Sequence, residues 1–167
     1  MGLILLRYGE IFVKGRNRQQ FLSRLRRNIR ACLRQHGLDG ELRQVGQRLY
    51  LYTAQVEEAL EPLSRVFGLV SLSPVREARR DLDAIIAAAI VEARLAGLDE
   101  GRSFRVVARR ADKTFPYISP EINRLVGEEL ARALGGRVDL SKNADLTIGV
   151  EVAQDAALVF ARSLAAP

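Results

Sequence analysis

The segment ELRQVGQRLYLYT, residues 41–53, decides the fold of the N-terminal half of the chain. It contains two runs of β-strand composition, residues 41–45 and 48–53, on either side of Gly46-Gln47. Two short strand-like runs separated by a glycine-containing pair are typical of a tight hairpin. The segment therefore predicts two antiparallel strands that are adjacent both in sequence and in space.

Helical segments lie on both sides of this hairpin. From Asn17 apolar residues recur at helical spacing until Gly37, which is suited to end a helix, and residues 56–66 form a second helical segment. Strand-like runs at residues 3–8 and 70–75 lie outside the two helices. The resulting order β-α-β-β-α-β predicts the split-βαβ, ferredoxin-like arrangement. The polar side of the first helix carries four arginines: Arg24, Arg27, Arg30 and Arg34.

The C-terminal half of the chain follows a polar joint at residues 76–80. Ser119-Pro120-Glu121 has the pattern of a helix start, with a hydroxyl at the N-cap, proline at the first helical position and a carboxylate facing the helix dipole. The other predicted elements are a helix at 82–93 and strands at 103–108, 146–152 and 157–161. We therefore predict an α+β protein, with an N-terminal ferredoxin-like domain at residues 1–75 and an α/β domain at residues 76–167.

Charge is distributed unevenly along the 167 residues, whose formal net charge is +6. Residues 1–50 contain 11 basic and 3 acidic side chains, whereas residues 56–101 contain 5 basic and 9 acidic ones. A second basic cluster begins at residue 102. Concentrated positive charge points to polyanionic partners. Because the sequence contains no secretory signal and no apolar run of membrane-spanning length, we expect a cytoplasmic protein that does not bind a membrane.

The residues that usually carry catalysis or bind metals are almost absent. The only cysteine, Cys32, lies on the apolar side of the first predicted helix, and the only histidine, His36, lies beside Gly37. These positions favour a buried, inert thiol and a capping or solvated imidazole. One thiol excludes a multi-thiolate zinc site, and neither glycine-rich phosphate-binding motif occurs. We therefore expect no catalytic residue, metal or cofactor in this chain.

Two basic clusters are the strongest functional signals. The first surrounds the Gly9 and Gly15 turns and consists of Arg7, Lys14, Arg16 and Arg18. The second combines three cations, Arg109, Arg110 and Lys113, with the aromatic ring of Phe115. Arginine makes bidentate contacts with phosphate, and an exposed ring stacks on an unpaired base. The alternative is a solvated surface and a Phe115 ring that packs inward. Together the clusters favour nucleic-acid binding.

The same residues resemble a known family. The motif LRYGEIxxKGxNR at residues 6–18 is similar to the start of bacterial tRNA 4-thiouridine synthetase, the tRNA sulfurtransferase of the ThiI thiamine biosynthesis family. The segment ARRADKTFP at residues 108–116, followed by SPEINR at 119–124, resembles the signature of that family's THUMP domain. DLS at 139–141 and DLTIGVEV at 145–152 match its closing strands.

This resemblance implies a ferredoxin-like domain followed by a THUMP RNA-binding domain. In the family, this pair grips the acceptor stem and the 3′ CCA end of tRNA and presents the tRNA for 4-thiouridine formation. The matching positions in this chain are Arg7, Lys14, Arg16, Arg18, Arg109, Arg110, Lys113, Phe115 and Arg124.

The resemblance does not extend to the catalytic part of the family. The SGGxDS-type loop of the ATP pyrophosphatase domain is absent from this sequence, as is a cysteine beyond Cys32. We therefore expect ATP to serve only a catalytic domain outside this chain, and the chain by itself not to be an enzyme. The chain is either an excised fragment or a short protein with a separately encoded catalytic partner. Family dimer contacts lie largely in the catalytic part, so a monomer is expected.

Two alternative functions remain open at this point. The THUMP-like half could serve a different RNA-modifying enzyme, such as a methyltransferase or a pseudouridine synthase, although Tyr8-Gly9-Glu10 favours the sulfurtransferase type. Alternatively, the chain could be a non-catalytic ferredoxin-like domain that binds a small ligand or a protein.

Overall fold

A computed structural model describes residues 2–9, 17–45 and 48–166 of the protein, which fold into two compact units. The first unit contains the described residues up to 74, and the second spans residues 75–162. The elements that form the first unit are β1 (Gly2–Tyr8), α1 (Arg18–Gln35), β2 (Glu41–Val45), β3 (Arg48–Thr53), α2 (Val56–Leu63) and the first half of β4 (Leu69–Ala78). Their order confirms the predicted β-α-β-β-α-β sequence of elements.

The sheet of the first unit has the strand order β2-β3-β1-β4. β1 runs antiparallel to β3 and places Leu6 opposite Leu49, while β2 pairs with β3 so that Val45 lies opposite Arg48. This register agrees with the predicted hairpin, whose turn residues Gly46 and Gln47 lie outside the described residues. The ferredoxin-like topology is therefore confirmed.

Helix α1 covers this sheet because its apolar residues form one continuous stripe. The buried residues of the helix are Leu22, Leu25, Ile29, Cys32 and Leu33, and the last four share a core with strand residues such as Ile4 and Leu51. A stripe at this spacing is what an amphipathic helix presents to a core.

The second unit is a sheet with two helices packed into its core. Its further elements are α3 (Leu82–Leu95), β5 (Ser103–Arg110), α4 (Ser119–Leu134), β6 (Arg137–Val138), β7 (Leu146–Val152) and β8 (Ala157–Phe160). The second half of β4 pairs with β8, and the order continues through β7 and β5 to β6. The pairs β5–β7 and β5–β6 are parallel, and β7–β8 is antiparallel. Phe104, Ile122, Val150 and residues of α3 form its core.

Several predicted boundaries are wrong, among them the end of β5, which continues from residue 108 to Arg110 and so includes Arg109 and Arg110. Strand β4 continues to Ala78, where a polar joint was predicted, because backbone pairing of Arg76 with Val159 supports it despite its polar side chains. Helix α2 ends at Leu63 rather than at residue 66. Helix α4 begins at Ser119, so Ile118 and not Ser119 is the N-cap, and the Ile118 amide donates to Glu121 Oε1 at 3.1 Å.

The end of the chain belongs to the first unit, which corrects the predicted second domain of residues 76–167. A short strand, β9 (Leu164–Ala165), pairs with β4 and places Leu164 opposite Leu72. Leu164 also packs against the core of the first unit. Two residues are too few to show strand periodicity, so the sequence pattern did not predict this strand. Among the described helices, none has the length and apolar character needed to cross a membrane.

Candidate nucleic-acid interface

The loop that follows β5, residues 111–117, is held in one conformation by an ion pair. Arg80 Nη2 lies 2.9 Å from Asp112 Oδ2, and Arg80 Nη1 donates to the carbonyl oxygen of Gln154 at 3.0 Å. Asp112 Oδ1 in turn accepts from the amide and the hydroxyl of Thr114 at 2.9 and 2.7 Å. The sequence pattern does not single out Arg80, because its partners are 32 or more positions away in the chain and only the fold brings them together.

Hydrogen bonds to Asp112 also shift its ionisation. The two hydrogen bonds from Thr114 lower the pKa of the Asp112 carboxyl below its ordinary value, and the nearby Arg80 adds to this effect. Asp112 is therefore a carboxylate at neutral pH, which is the form that its donors require.

Arg110 closes the same loop from the other end. Its Nη1 donates to the carbonyl oxygens of Phe115 and Lys113 at 3.1 and 3.4 Å, and the side chain is half-buried. Arg110 was predicted to contact RNA, and the structure gives it a definite part in shaping the loop. The guanidinium has five N–H donors, so these two bonds leave further donors for a ligand.

Phe115 is the clearest correction among the predicted site residues. Its side chain is 3% exposed and belongs to the core of the second unit, with its ring centroid 5.9 Å from that of Tyr117. A buried ring cannot stack on an unpaired base, so the inward-packing alternative is the one that the structure shows. Tyr117, which is half-buried, is the aromatic residue with accessible surface at this loop.

The remaining predicted residues of the second unit are exposed. Lys113 lies at the outer part of the loop, and the side chain of Arg109 is 67% exposed with Nη1 3.8 Å from Glu151 Oε1. Arg124 lies on the surface of α4, where Nη1 is 3.3 Å from Glu128 Oε1. Exposed ion pairs of this kind contribute little to stability and are easily exchanged for a phosphate.

Asn123 joins helix α4 to strand β5, which carries Arg109 and Arg110. Its Oδ1 accepts from the backbone amide of Ala108 at 2.8 Å. The segment that runs from β5 through the loop to α4 thus carries four cations, Arg109, Arg110, Lys113 and Arg124, and we call it the β5–α4 basic segment.

The first basic cluster is only partly described. Arg7 is half-buried, and its Nη1 donates to Ser73 Oγ at 2.9 Å and to Ser71 Oγ at 3.2 Å, so its guanidinium links β1 to β4. Arg18 is the first residue of α1 and is half-buried. Lys14 and Arg16 lie outside the described residues.

Cys32 and His36 have the roles expected from the sequence. Burial raises the pKa of the Cys32 thiol, although the charge of Arg65 opposes this effect. His36 is the C-cap residue of α1, and its Nδ1 lies 2.8 Å from the carbonyl oxygen of Cys32. Among the described residues, no three His, Cys, Asp or Glu side chains are grouped as metal ligands.

Two family assignments cover most of the chain. Residues 3–73 match the ThiI ferredoxin-like domain, and residues 79–162 match the THUMP domain. The chain belongs to the ThiI-type THUMP family. The resemblance found in the sequence motifs is thereby confirmed for both halves of this ThiI-type chain.

Individual relatives agree with this assignment. The probable tRNA sulfurtransferase of Halothermothrix orenii is 34% identical over 172 residues, which is 99% of this chain and 43% of that protein. A crystal structure from Pyrococcus horikoshii has 36% identity and a TM-score of 0.83, covering 99% of this chain and 55% of the other. A 4-thiouridine synthetase–RNA complex with bound ATP has 26% identity and a TM-score of 0.78, with coverage of 99% and 42%. This ThiI-type chain thus spans less than half the length of the sulfurtransferase that it matches.

Proposed function

We propose that the chain is a tRNA-binding module that grips the acceptor stem and the 3′ CCA end and presents the tRNA for 4-thiouridine formation. The observation that carries this proposal is the β5–α4 basic segment. There, the Arg80–Asp112 ion pair fixes a loop whose outer part carries Lys113. A fixed loop loses little conformational entropy when a ligand binds, so its cations are preorganised for phosphates.

A cavity beside this loop supports recognition of a single-stranded end. It has a volume of about 290 Å³ and is lined by residues that include Arg80, Asp83 and Tyr117. This volume is close to the lower limit of about 300 Å³ for pockets that take small ligands. Single-stranded RNA is commonly recognised by splayed bases that stack on aromatic rings and hydrogen-bond with polar groups. The half-buried Tyr117 ring supplies the aromatic group, and the polar side chains that line the same cavity belong to Arg80, Asp81 and Asp83.

The chemistry itself belongs to a catalytic domain outside this chain. We propose an ATP pyrophosphatase domain as the partner, with ATP bound there, and no cofactor in the present module. The family assignment of residues 3–73 to the ThiI ferredoxin-like domain favours this partner over a methyltransferase or a pseudouridine synthase.

The test is the affinity for intact tRNA and for the same tRNA without its CCA end, measured over a series of salt concentrations. About five phosphate contacts would give a slope of log affinity against log salt between roughly −3.5 and −4.5. We expect tight binding that weakens steeply with salt and drops when the CCA end is removed. Equal affinity for both RNAs would exclude recognition of the end, and a flat salt dependence would favour the ligand-binding or protein-binding alternative.

Lys113→Ala tests the loop itself, with Lys142→Ala as the matched control. Both lysines are exposed residues of the second unit, and both substitutions remove one positive charge. Lys113→Ala should reduce the salt slope by about one and weaken binding, whereas Lys142→Ala should change neither. Equal effects of the two substitutions would mean that overall charge, rather than the loop, determines binding.

A further inference from the structure

Helix α1 carries a row of exposed arginines that are not part of the β5–α4 basic segment. Arg24, Arg27, Arg30 and Arg34 are all exposed. At 100° per residue they fall within a sector of about 120°, opposite the buried stripe of the helix. At a rise of 1.5 Å per residue the row is about 15 Å long. We call it the α1 arginine row.

The row has no acidic counterpart within its own helix. The 18 residues of α1 contain six arginines and no aspartate or glutamate. By contrast, the arginines of α4 pair with acidic side chains of the same helix, as Arg132 does with Glu129 at 2.9 Å. In the described part of the chain, no carboxylate lies within ion-pair distance of the four arginines of the row.

The stability of the helix does not explain this arrangement. Arg30 lies one turn from Arg26, Arg27 and Arg34, and like charges at this spacing repel each other. The first turn also lacks an acidic residue to interact with the helix dipole. A set of aligned, unneutralised guanidinium groups is instead suited to a ligand that carries regularly spaced anions, and arginine is the residue best suited to bind phosphate in a bidentate manner.

We propose that the α1 arginine row binds the phosphate backbone of double-stranded RNA, in the base-paired part of the tRNA. This inference rests on the proposed function. Double-stranded RNA is recognised mainly through its shape and its phosphate and 2′-hydroxyl groups, which requires cations and no base-specific groups. A membrane surface fits less well, because an interfacial helix inserts its apolar side, and here that side is buried in the core of the first unit.

The test uses the double variant Arg27→Gln/Arg30→Gln and, as a control of equal charge, Arg94→Gln/Arg132→Gln. The control arginines are exposed and lie in the last turns of α3 and α4. Each duplex phosphate contact contributes about 0.9 to the slope of log affinity against log salt. Because such a contact contributes almost nothing to affinity at 1 M salt, its loss weakens binding about 8-fold at 0.1 M salt. The double variant should therefore bind tRNA about 60-fold more weakly and lose about 1.8 from its slope.

Comparing the effect of the double variant on intact tRNA and on tRNA without the CCA end separates this inference from the proposed function. Because the row is assigned to the duplex, its loss should weaken binding by the same factor for intact tRNA and for tRNA without the CCA end. A loss confined to intact tRNA would overturn the assignment to the duplex. If the row variant and its control bind equally well while Lys113→Ala is impaired, the inference fails and the proposed function stands. If the unsubstituted chain does not bind tRNA, the proposed function itself fails.

Discussion

Replacing Phe115 with alanine tests whether the core or the RNA interface uses this ring. The ring is 3% exposed and lies in the core of the second unit. Truncation of a buried phenylalanine to alanine lowers the free energy of unfolding by about 3–5 kcal/mol. Phe115 also lines the cavity of about 290 Å³ beside the loop. Water can enter the vacated space from there, so we expect a loss of about 3 kcal/mol, at the lower end of this range.

The assay combines urea unfolding, followed by circular dichroism, with tRNA affinity under conditions in which each variant is folded. Ile122→Ala is the matched control, because Ile122 is fully buried in the same core and has no proposed role in RNA binding. Both variants should lose stability, and both should retain the affinity of the unsubstituted chain per folded molecule. A Phe115→Ala variant with normal stability and weak tRNA binding would refute the core assignment and restore the stacking hypothesis.

Four further substitutions test the loop, helix α4 and the thiol. The low pKa of Asp112 means that its carboxylate stabilises the loop above its ordinary pKa of about 3.9 and that this stabilisation is lost as the pH falls below that value. Asp112→Asn should therefore lower the protection factor of the Thr114 amide against hydrogen exchange at pH 7 and remove the fall of that protection factor at acidic pH. Gly135→Ala should lower the free energy of unfolding by about 1 kcal/mol, since Gly135 has φ +79°. Gly127→Ala, in the interior of α4, should raise the free energy of unfolding by about 0.5–1 kcal/mol, because an added Cβ would make only ordinary contact there. Urea unfolding measures the effects of both glycine substitutions. Because burial raises the pKa of the Cys32 thiol, Cys32 should react slowly with iodoacetamide at pH 7. Cys32→Ser should leave the tRNA binding of the folded chain unchanged. A binding defect at normal stability would contradict the role of Cys32 in the core.

The predictable part of the fold is the part that local periodicity encodes. Helix α1 was predicted because its five buried residues recur at helical spacing, and β3 because its apolar residues form one short run. The missed elements, β6 and β9, have two residues each and exist only because a distant strand pairs with them. The polar end of β4 was missed for the same reason, because its support comes from β8, about 80 residues away.

The same distinction between local sequence and long-range contacts applies to the candidate site. The exposed cations Lys113 and Arg109 were predicted from composition and motif, since charge is visible in a sequence. The direction in which Phe115 points was not predictable, because a ring in a basic loop fits either a core or an interface until the neighbouring core is known. The role of Arg80 depends on Asp112 and Gln154, and no spacing rule links positions so far apart.

A single substitution in the α1 arginine row should raise the stability of the protein and lower its affinity for tRNA. Arg30 has like-charged neighbours at three positions one turn away, Arg26, Arg27 and Arg34, and each such pair destabilises a helix by about 0.2–0.5 kcal/mol. Arg30→Gln should thus raise the free energy of unfolding by about 0.6–1.5 kcal/mol at low salt, and the gain should shrink as salt screens the charges. The same substitution should weaken tRNA binding. Urea unfolding and tRNA titration at two salt concentrations test both effects. A row that only keeps the protein in solution would give the gain in stability without the loss of affinity, because repulsion within the helix does not depend on the RNA.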